Sequence, residues 1–178
     1  RNEIKINQAR NDGATPLFVA CQNDHVKVVN VLLARKEIEI NQAAKDGATP
    51  LYAASQEGRV DVVQLLLTKK EIQINRAHDG GATPLHITCL EGHVEIVRLL
   101  LAREEIQINQ VTKHGVTPLF AATTSGFVDI VRLLLTRKEI QINRANKRGF
   151  TPLYAACQVG HVDVVQVLLA RKEIQINQ

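Results

Sequence analysis

The chain has 178 residues, 45% of them apolar but only 3% aromatic, and its 22 basic and 18 acidic side chains leave a net charge of +4. Its core must therefore be built from Leu, Ile, Val and Ala, and so small a charge surplus serves solubility rather than nucleic-acid binding. The longest apolar runs, such as Leu17 to Cys21, are five residues, far short of the roughly 20 needed to span a bilayer, and no signal-peptide pattern is visible, so neither nucleic acid nor membrane is expected as a partner.

The chain opens on RNEIKINQ and reaches Thr-Pro-Leu at 15–17, a tripeptide that returns at 49–51, 83–85, 117–119 and 151–153, always 34 residues on. It closes on RKEIQINQ, in the phase of its opening. A fixed period of this size marks a stack of supersecondary units that cannot bury their apolar faces alone. The expected organisation is one array over 1–178, with units 1–34, 35–68, 69–102, 103–136 and 137–170 and a partial unit at 171–178.

Unit two shows the local signals. Thr49 suits a helix N-cap and Pro50 the first helical position, so a short helix is predicted from there through Leu51, Ala53 and Ala54 to about Gln56, ended by Gly58. A second helix follows, with Val60, Val62, Val63, Leu66 and Leu67 on its apolar face and Asp61 and Gln64 outward. Ile72 and Ile74 then stand two apart, as on an extended segment facing one way, and Ala77 to Gly81 reads as a projecting turn.

These residues resemble the ankyrin repeat, whose turn, Gly-x-Thr-Pro-Leu-His-x-Ala, Gly-His linkage and Val-Val-x-Leu-Leu-Leu run through all five units. The third, GATPLHITCLEGHVEIVRLLLA from Gly81 to Ala102, is nearest. The resemblance implies an all-α, ankyrin-type solenoid of helix-turn-helix units, with hairpin fingers projecting to one side and a concave face for protein partners. The departures carry expectations of their own. Units are 34 residues rather than the usual 33, with RKEI, KKEI or REEI after the second helix, which should run further or end in a wider turn. The usual turn Asp is replaced by Arg10, Ala44, His78, Thr112 and Asn146, so looser fingers are expected. Only His86 keeps the motif His; Phe18, Tyr52, Phe120 and Tyr154 replace an inter-unit hydrogen bond by aromatic packing.

Units two and five match at 24 of 34 positions. Five of the ten differences fall in or beside the turn and at the end of the first helix: Gln42 and Arg144, Ala44 and Asn146, Asp46 and Arg148, Ala48 and Phe150, Glu57 and Val159. Phe150 and Val159, with Val116 and Leu90 taken as their counterparts, predict an apolar strip toward the C-terminal half of the groove, the kind of anchor that gives an interface its energy. The finger tips change sign as well, from Asn11, Asp12, Lys45, Asp46 and Asp79 to Lys113, His114, Lys147 and Arg148, a gradient that would orient a partner. Partner-binding residues are thus expected at Leu90, Lys113, His114, Val116, Lys147, Arg148, Phe150 and Val159. Free drift of exposed positions would produce the same differences.

Other chemistry finds little support. Cys21, Cys89 and Cys157 share one phase with Ser55 and Thr123, which asks only for a small side chain, and their spacing excludes a disulfide within the chain. Unpaired cysteines fit a reducing, cytoplasmic setting. His86, Cys89 and His93 superficially resemble metal ligands, but each has a scaffold role, and no phosphate loop or catalytic group stands apart from the repeat. No enzyme activity, metal or cofactor is expected. Asn41, Asn75, Asn109 and Asn143 should shape the fingers by local hydrogen bonds; by resemblance, asparagines at this phase are also substrates of an asparaginyl hydroxylase. The opening Ile4 and Ile6 and the closing Val167, Leu168, Leu169, Ile174 and Ile176 predict apolar ends able to stack head to tail. With no Met in the chain, they also suggest a piece of a longer array or an engineered chain. The reading is a protein-binding scaffold, and its rivals are a spacer without a ligand and an engineered binder.

Overall fold

Each 34-residue unit folds into a pair of short helices, and the pairs stack side by side. The computed structural model describes residues 5–176. The first helices are α1 (Pro16–Gln22), α3 (Pro50–Gln56), α5 (Pro84–Glu91), α7 (Pro118–Ser125) and α9 (Pro152–Val159). The second helices are α2 (Val26–Leu33), α4 (Val60–Leu67), α6 (Val94–Leu101), α8 (Val128–Leu134) and α10 (Val162–Leu169). No strand occurs among the described residues. Each helix packs on its partner and on its counterparts in the flanking units, giving one row of first helices and one of second helices.

The first helices start where Thr-Pro places them. Thr49 accepts the Tyr52 N–H at 3.1 Å and Pro50 occupies the first turn without forfeiting a hydrogen bond. The other units repeat the arrangement from Thr15, Thr83, Thr117 and Thr151. A left-handed residue then turns the chain into the second helix. Gly92 has φ +85°, and a Cβ there would lie 2.5 Å from the Phe127 ring of the next unit, so both conformation and space require glycine. Asp24 stands at this phase in unit one with φ 60°. Asp is among the few side chains that adopt this conformation, and the next unit carries Arg59 rather than a ring at the linkage position.

On α4, Val62, Val63, Leu66 and Leu67 are buried and Asp61 and Gln64 exposed, as their spacing predicts. Val60 departs from that face: it begins the helix at its outer edge and is 38% exposed. The small-residue phase is buried at Cys21, Ser55, Cys89 and Thr123, but Cys157 is exposed, since among the described residues no further helix pair lies against α9.

The KEI segment does not lengthen the second helix. Helix α4 stops at Leu67, and the Ile72 N–H to Lys69 carbonyl bond (3.3 Å) and the Arg76 N–H to Gln73 carbonyl bond (3.1 Å) close successive turns. The segment continues in turns rather than as helix, and the expected extended segment is replaced by turns that still bury Ile72 and Ile74. The basic residue opening the segment reaches back one unit: Lys69 Nζ donates to the Leu33 carbonyl at 3.0 Å, and Arg103 and Arg137 donate to those of Leu67 and Leu101. Each cation thereby caps the C-terminal, electronegative end of the preceding second helix.

The asparagines prove to be non-local. Asn109 Nδ2 donates to the Glu139 carbonyl at 2.7 Å while its Oδ1 accepts the Gln141 N–H at 2.9 Å, so one amide clasps the backbone of the following unit. Asn7, Asn41, Asn75 and Asn143 do the same. The expected local bond is corrected because the neighbouring turn presents a carbonyl and an N–H in register with a carboxamide.

The ends are partly apolar. Val167 and Leu168 are buried within their own helix pair, Ile6 and Ile174 are half-buried, and Leu169 and Ile176 are exposed. Ile4 lies outside the described residues. On the opposite end face Val28 is 49% exposed, whereas its counterparts Val62, Ile96, Ile130 and Val164 are fully buried.

Replacing Asn109 by Ala removes two inter-unit hydrogen bonds and should lower stability by about 1–3 kcal/mol. Urea denaturation checks this, and an unchanged midpoint would show that the clasp contributes nothing.

Candidate functional site

The fingers are tight turns, and each depends on one amide. In finger three the His78 N–H donates to the Ala82 carbonyl (3.0 Å) and the Gly81 N–H to the His78 carbonyl (2.8 Å). The amide of the residue closing the turn points inward and needs an acceptor. Ala14 and Ala48 N–H find Asp12 and Asp46, Ala82 N–H finds His78 Nδ1, Val116 N–H finds Thr112 Oγ1 and Phe150 N–H finds Asn146 Oδ1, all at 3.0–3.2 Å. The expectation of looser fingers is thus corrected: the missing Asp is replaced in each unit by another acceptor able to reach the same N–H. Neighbouring fingers are joined by one backbone bond each, from Lys45, Asp79, Lys113 and Lys147 N–H to Asp12, Asp46, Gly80 and His114 carbonyls at 2.8–3.0 Å.

Between the fingers and first helices of units three and four lies a hollow of about 490 Å³. Ile87 and Leu90 of α5 and Phe120 and Ala121 of α7 give it an apolar floor. The Tyr52 ring, stacked on His78 at 5.1 Å, stands at one side, and Val116, Lys113 and His114 of finger four stand at the other. Leu90 is 47% exposed, a large aliphatic side chain left open to solvent on the finger side. Its carbonyl accepts the Ser125 hydroxyl at 3.0 Å. At other junctions the matching carbonyl takes a side chain from the following linkage: Arg59 on Gln22, His93 on Gln56, His161 on Thr124. Phe127 holds that linkage position here and cannot donate, so Ser125 does.

A larger hollow of about 770 Å³ lies beside finger two, lined by Asn41, Lys45, Arg76 and Asp79 among others. Two of its polar groups are committed to the scaffold: Asn41 clasps unit three and Arg76 donates to the Asn41 carbonyl.

Of the eight residues singled out from the sequence, Leu90, Lys113, His114 and Val116 come together around the smaller hollow. Phe150, Val159, Lys147 and Arg148 do not line it. Phe150 stacks on Tyr154 (centroids 4.6 Å apart, planes at 16°), and the Arg148 guanidinium carbon lies 4.8 Å from the Phe150 centroid. Val159 is exposed at the end of α9. The single apolar strip is therefore divided into a hollow at units three and four and an aromatic platform on unit five. Its assumed register also changes, because Leu90 shares its phase with Thr124 and Gln158 and lies one residue before that of Val159. Comparison of units two and five missed Ile87, whose phase holds Val, Ala, Ile, Ala and Ala along the chain.

Charge follows the fingers unevenly. Asp12 is paired with Arg10 of its own finger, whose hydrogen bond holds the carboxyl down at about 2, so this acidic tip is partly neutralised. Lys113, His114, Lys147 and Arg148 enter no ion pair among the described residues.

The three residues with metal-like spacing are otherwise engaged. Cys89 is buried, which pushes its thiol well above the ordinary range, and His93 donates to Gln56. His86 is 3% exposed: its Nδ1 accepts the Thr83 N–H at 3.1 Å and its Nε2 donates to the Val116 carbonyl at 3.0 Å. This is the inter-unit bond anticipated from the motif. In the other units Phe18, Tyr52 and Phe120 are buried as packing rings, while Tyr154 is exposed and stacks within its own unit. Burial drives the His86 pKa down to about 4, opposed in part by the Val116 carbonyl.

Among known families, a model described as ankyrin repeats, in three copies, matches residues 2–78, 74–146 and 107–178. No curated protein gives a significant match.

Because His86 takes up its proton less readily folded than unfolded, its contribution to stability is complete above its ordinary value of 6.5 and is lost as pH falls toward 4. Urea denaturation at pH 7 and 4.5 should show an acid loss about 2–3 kcal/mol larger for the wild type than for His86→Phe, which carries the side chain of units one and four. Equal losses would remove His86 as the cause.

Proposed function

Since the chain belongs to the ankyrin-repeat family, whose repeats are protein-interaction modules, we propose that it is a non-enzymatic scaffold forming a single array and binding a protein on its fingers and first helices. What supports this surface above all is Leu90. An exposed apolar side chain in a hollow with Lys113 and His114 at its edge offers an anchor that a partner would desolvate inside a polar rim, the arrangement from which interfaces draw most of their energy. Phe150, Val159, Lys147 and Arg148 extend the surface along unit five. Thr88 of the same helix is fully buried and its hydroxyl is taken up by the Pro84 and Leu85 carbonyls, so it offers no polar group to a partner.

A second contact is favoured by Val28, exposed at a phase that is buried in every other unit, and by Leu169, 46% exposed although Leu33, Leu67 and Leu135 are buried. These faces suit another helix pair of the same kind, so end-to-end stacking is proposed as a self-association mode separate from the groove.

The test is retention of proteins from a cell extract by the chain and by its Leu90→Glu variant. Because Leu90 is half exposed, the variant should fold with an unchanged melting temperature. Loss of about tenfold or more in the retained proteins, equivalent to roughly 1.4 kcal/mol, is expected. The same proteins held equally by both, or none held by either, would favour a spacer.

A further inference from the structure

The basic residues of fingers four and five continue the apolar hollow in one direction. Lys113 and His114 stand on its rim, and Lys147 and Arg148 occupy the next tip, all exposed and without carboxylate partners among the described residues. Arg148 differs from a free surface arginine. Its guanidinium lies over Phe150, that ring is stacked on Tyr154, and the Asn146 side chain accepts the backbone N–H groups of both Arg148 and Phe150. A planar fork held this way loses less freedom when it takes a carboxylate. On the opposite side of the hollow the third finger carries Asp79 and the end of α5 carries Glu91, both exposed, which disfavour an acidic group there.

We propose, on the basis of the scaffold reading, that the occupant is a peptide segment of a partner with one large apolar side chain in the hollow at Leu90 and Ile87 and carboxylates directed toward Lys113, His114, Lys147 and Arg148. Stacked units are about 8–10 Å apart, and an extended chain advances about 3.3 Å per residue. The carboxylate meeting Arg148 therefore lies roughly three to six residues from the anchor. The apolar side chain supplies most of the binding energy and the carboxylates supply orientation and association rate.

The experiment is selection of short random peptides displayed on phage against the chain, followed by binding of the enriched peptides to the wild type, Leu90→Glu and the double variant Lys147→Glu with Arg148→Glu. The expected peptides pair an apolar residue with Asp or Glu a few positions away. They should lose about tenfold or more in affinity on Leu90→Glu, associate more slowly with the double variant, and bind less well as salt rises. Enriched peptides that need Leu90 but are neutral or basic, and indifferent to the double variant, would overturn the acidic partner while leaving the scaffold reading in place. Peptides indifferent to Leu90, or no enrichment over a blank surface, would overturn both.

Discussion

No unit of this chain can satisfy its own backbone, and the stack follows from that. The asparagine clasp shows it most plainly: a single carboxamide supplies a donor and an acceptor to a carbonyl and an N–H lying 30 and 32 residues further on. The same dependence recurs where Lys69, Arg103 and Arg137 cap the helix of the unit before and where finger amides donate to the previous tip. Each bond ties a unit only to its neighbour. Stability accumulates along the array as a sum of unit and junction terms, not from a single centre.

The scaffold specifies hydrogen-bonding roles more strictly than residues. The inward amide of each finger is satisfied by Asp12, Asp46, His78, Thr112 or Asn146, which share an acceptor within reach and little else. Likewise Ser125 replaces the linkage donor where Phe127 has none. An unpaired buried amide costs about 1–3 kcal/mol, so the role is constrained while several side chains can fill it. That leaves the groups beside it, such as Lys113 and Arg148 at the tips and Leu90 at the helix end, free to serve a partner.

Features decided by local chemistry were legible in the sequence. Thr49, Pro50 and Gly58 placed the limits of α3, and the period placed the others, because caps and left-handed turns act within a few residues. Features decided by a neighbour were not. Asn109 recurs visibly, but nothing near it in sequence reveals a partner in the next unit. Ile72 and Ile74 suggested an extended segment because two buried residues two apart also arise from successive turns. The candidate site was half legible as geometry: Leu90, Lys113, His114 and Val116 converge, whereas Phe150 and Val159 lie elsewhere. The convergence depends on the depth between two particular units, which substitution patterns do not encode.

That depth is maintained by His86. Its ring is tied to Thr83 on one side and to the Val116 carbonyl of the next finger on the other, and is almost wholly buried. Turning it to fill the hollow would leave the Thr83 N–H and the Val116 carbonyl unpaired, so the wall cannot relax inward as a purely apolar ring could. Tyr52 is braced against His78 in the same way. A hollow whose walls are fixed by hydrogen bonds and stacking persists without an occupant, and a partner entering it need not order the site first. On the proposed reading the cost of binding would fall accordingly, which gives the buried polar His86 a role beside the apolar floor of this hollow.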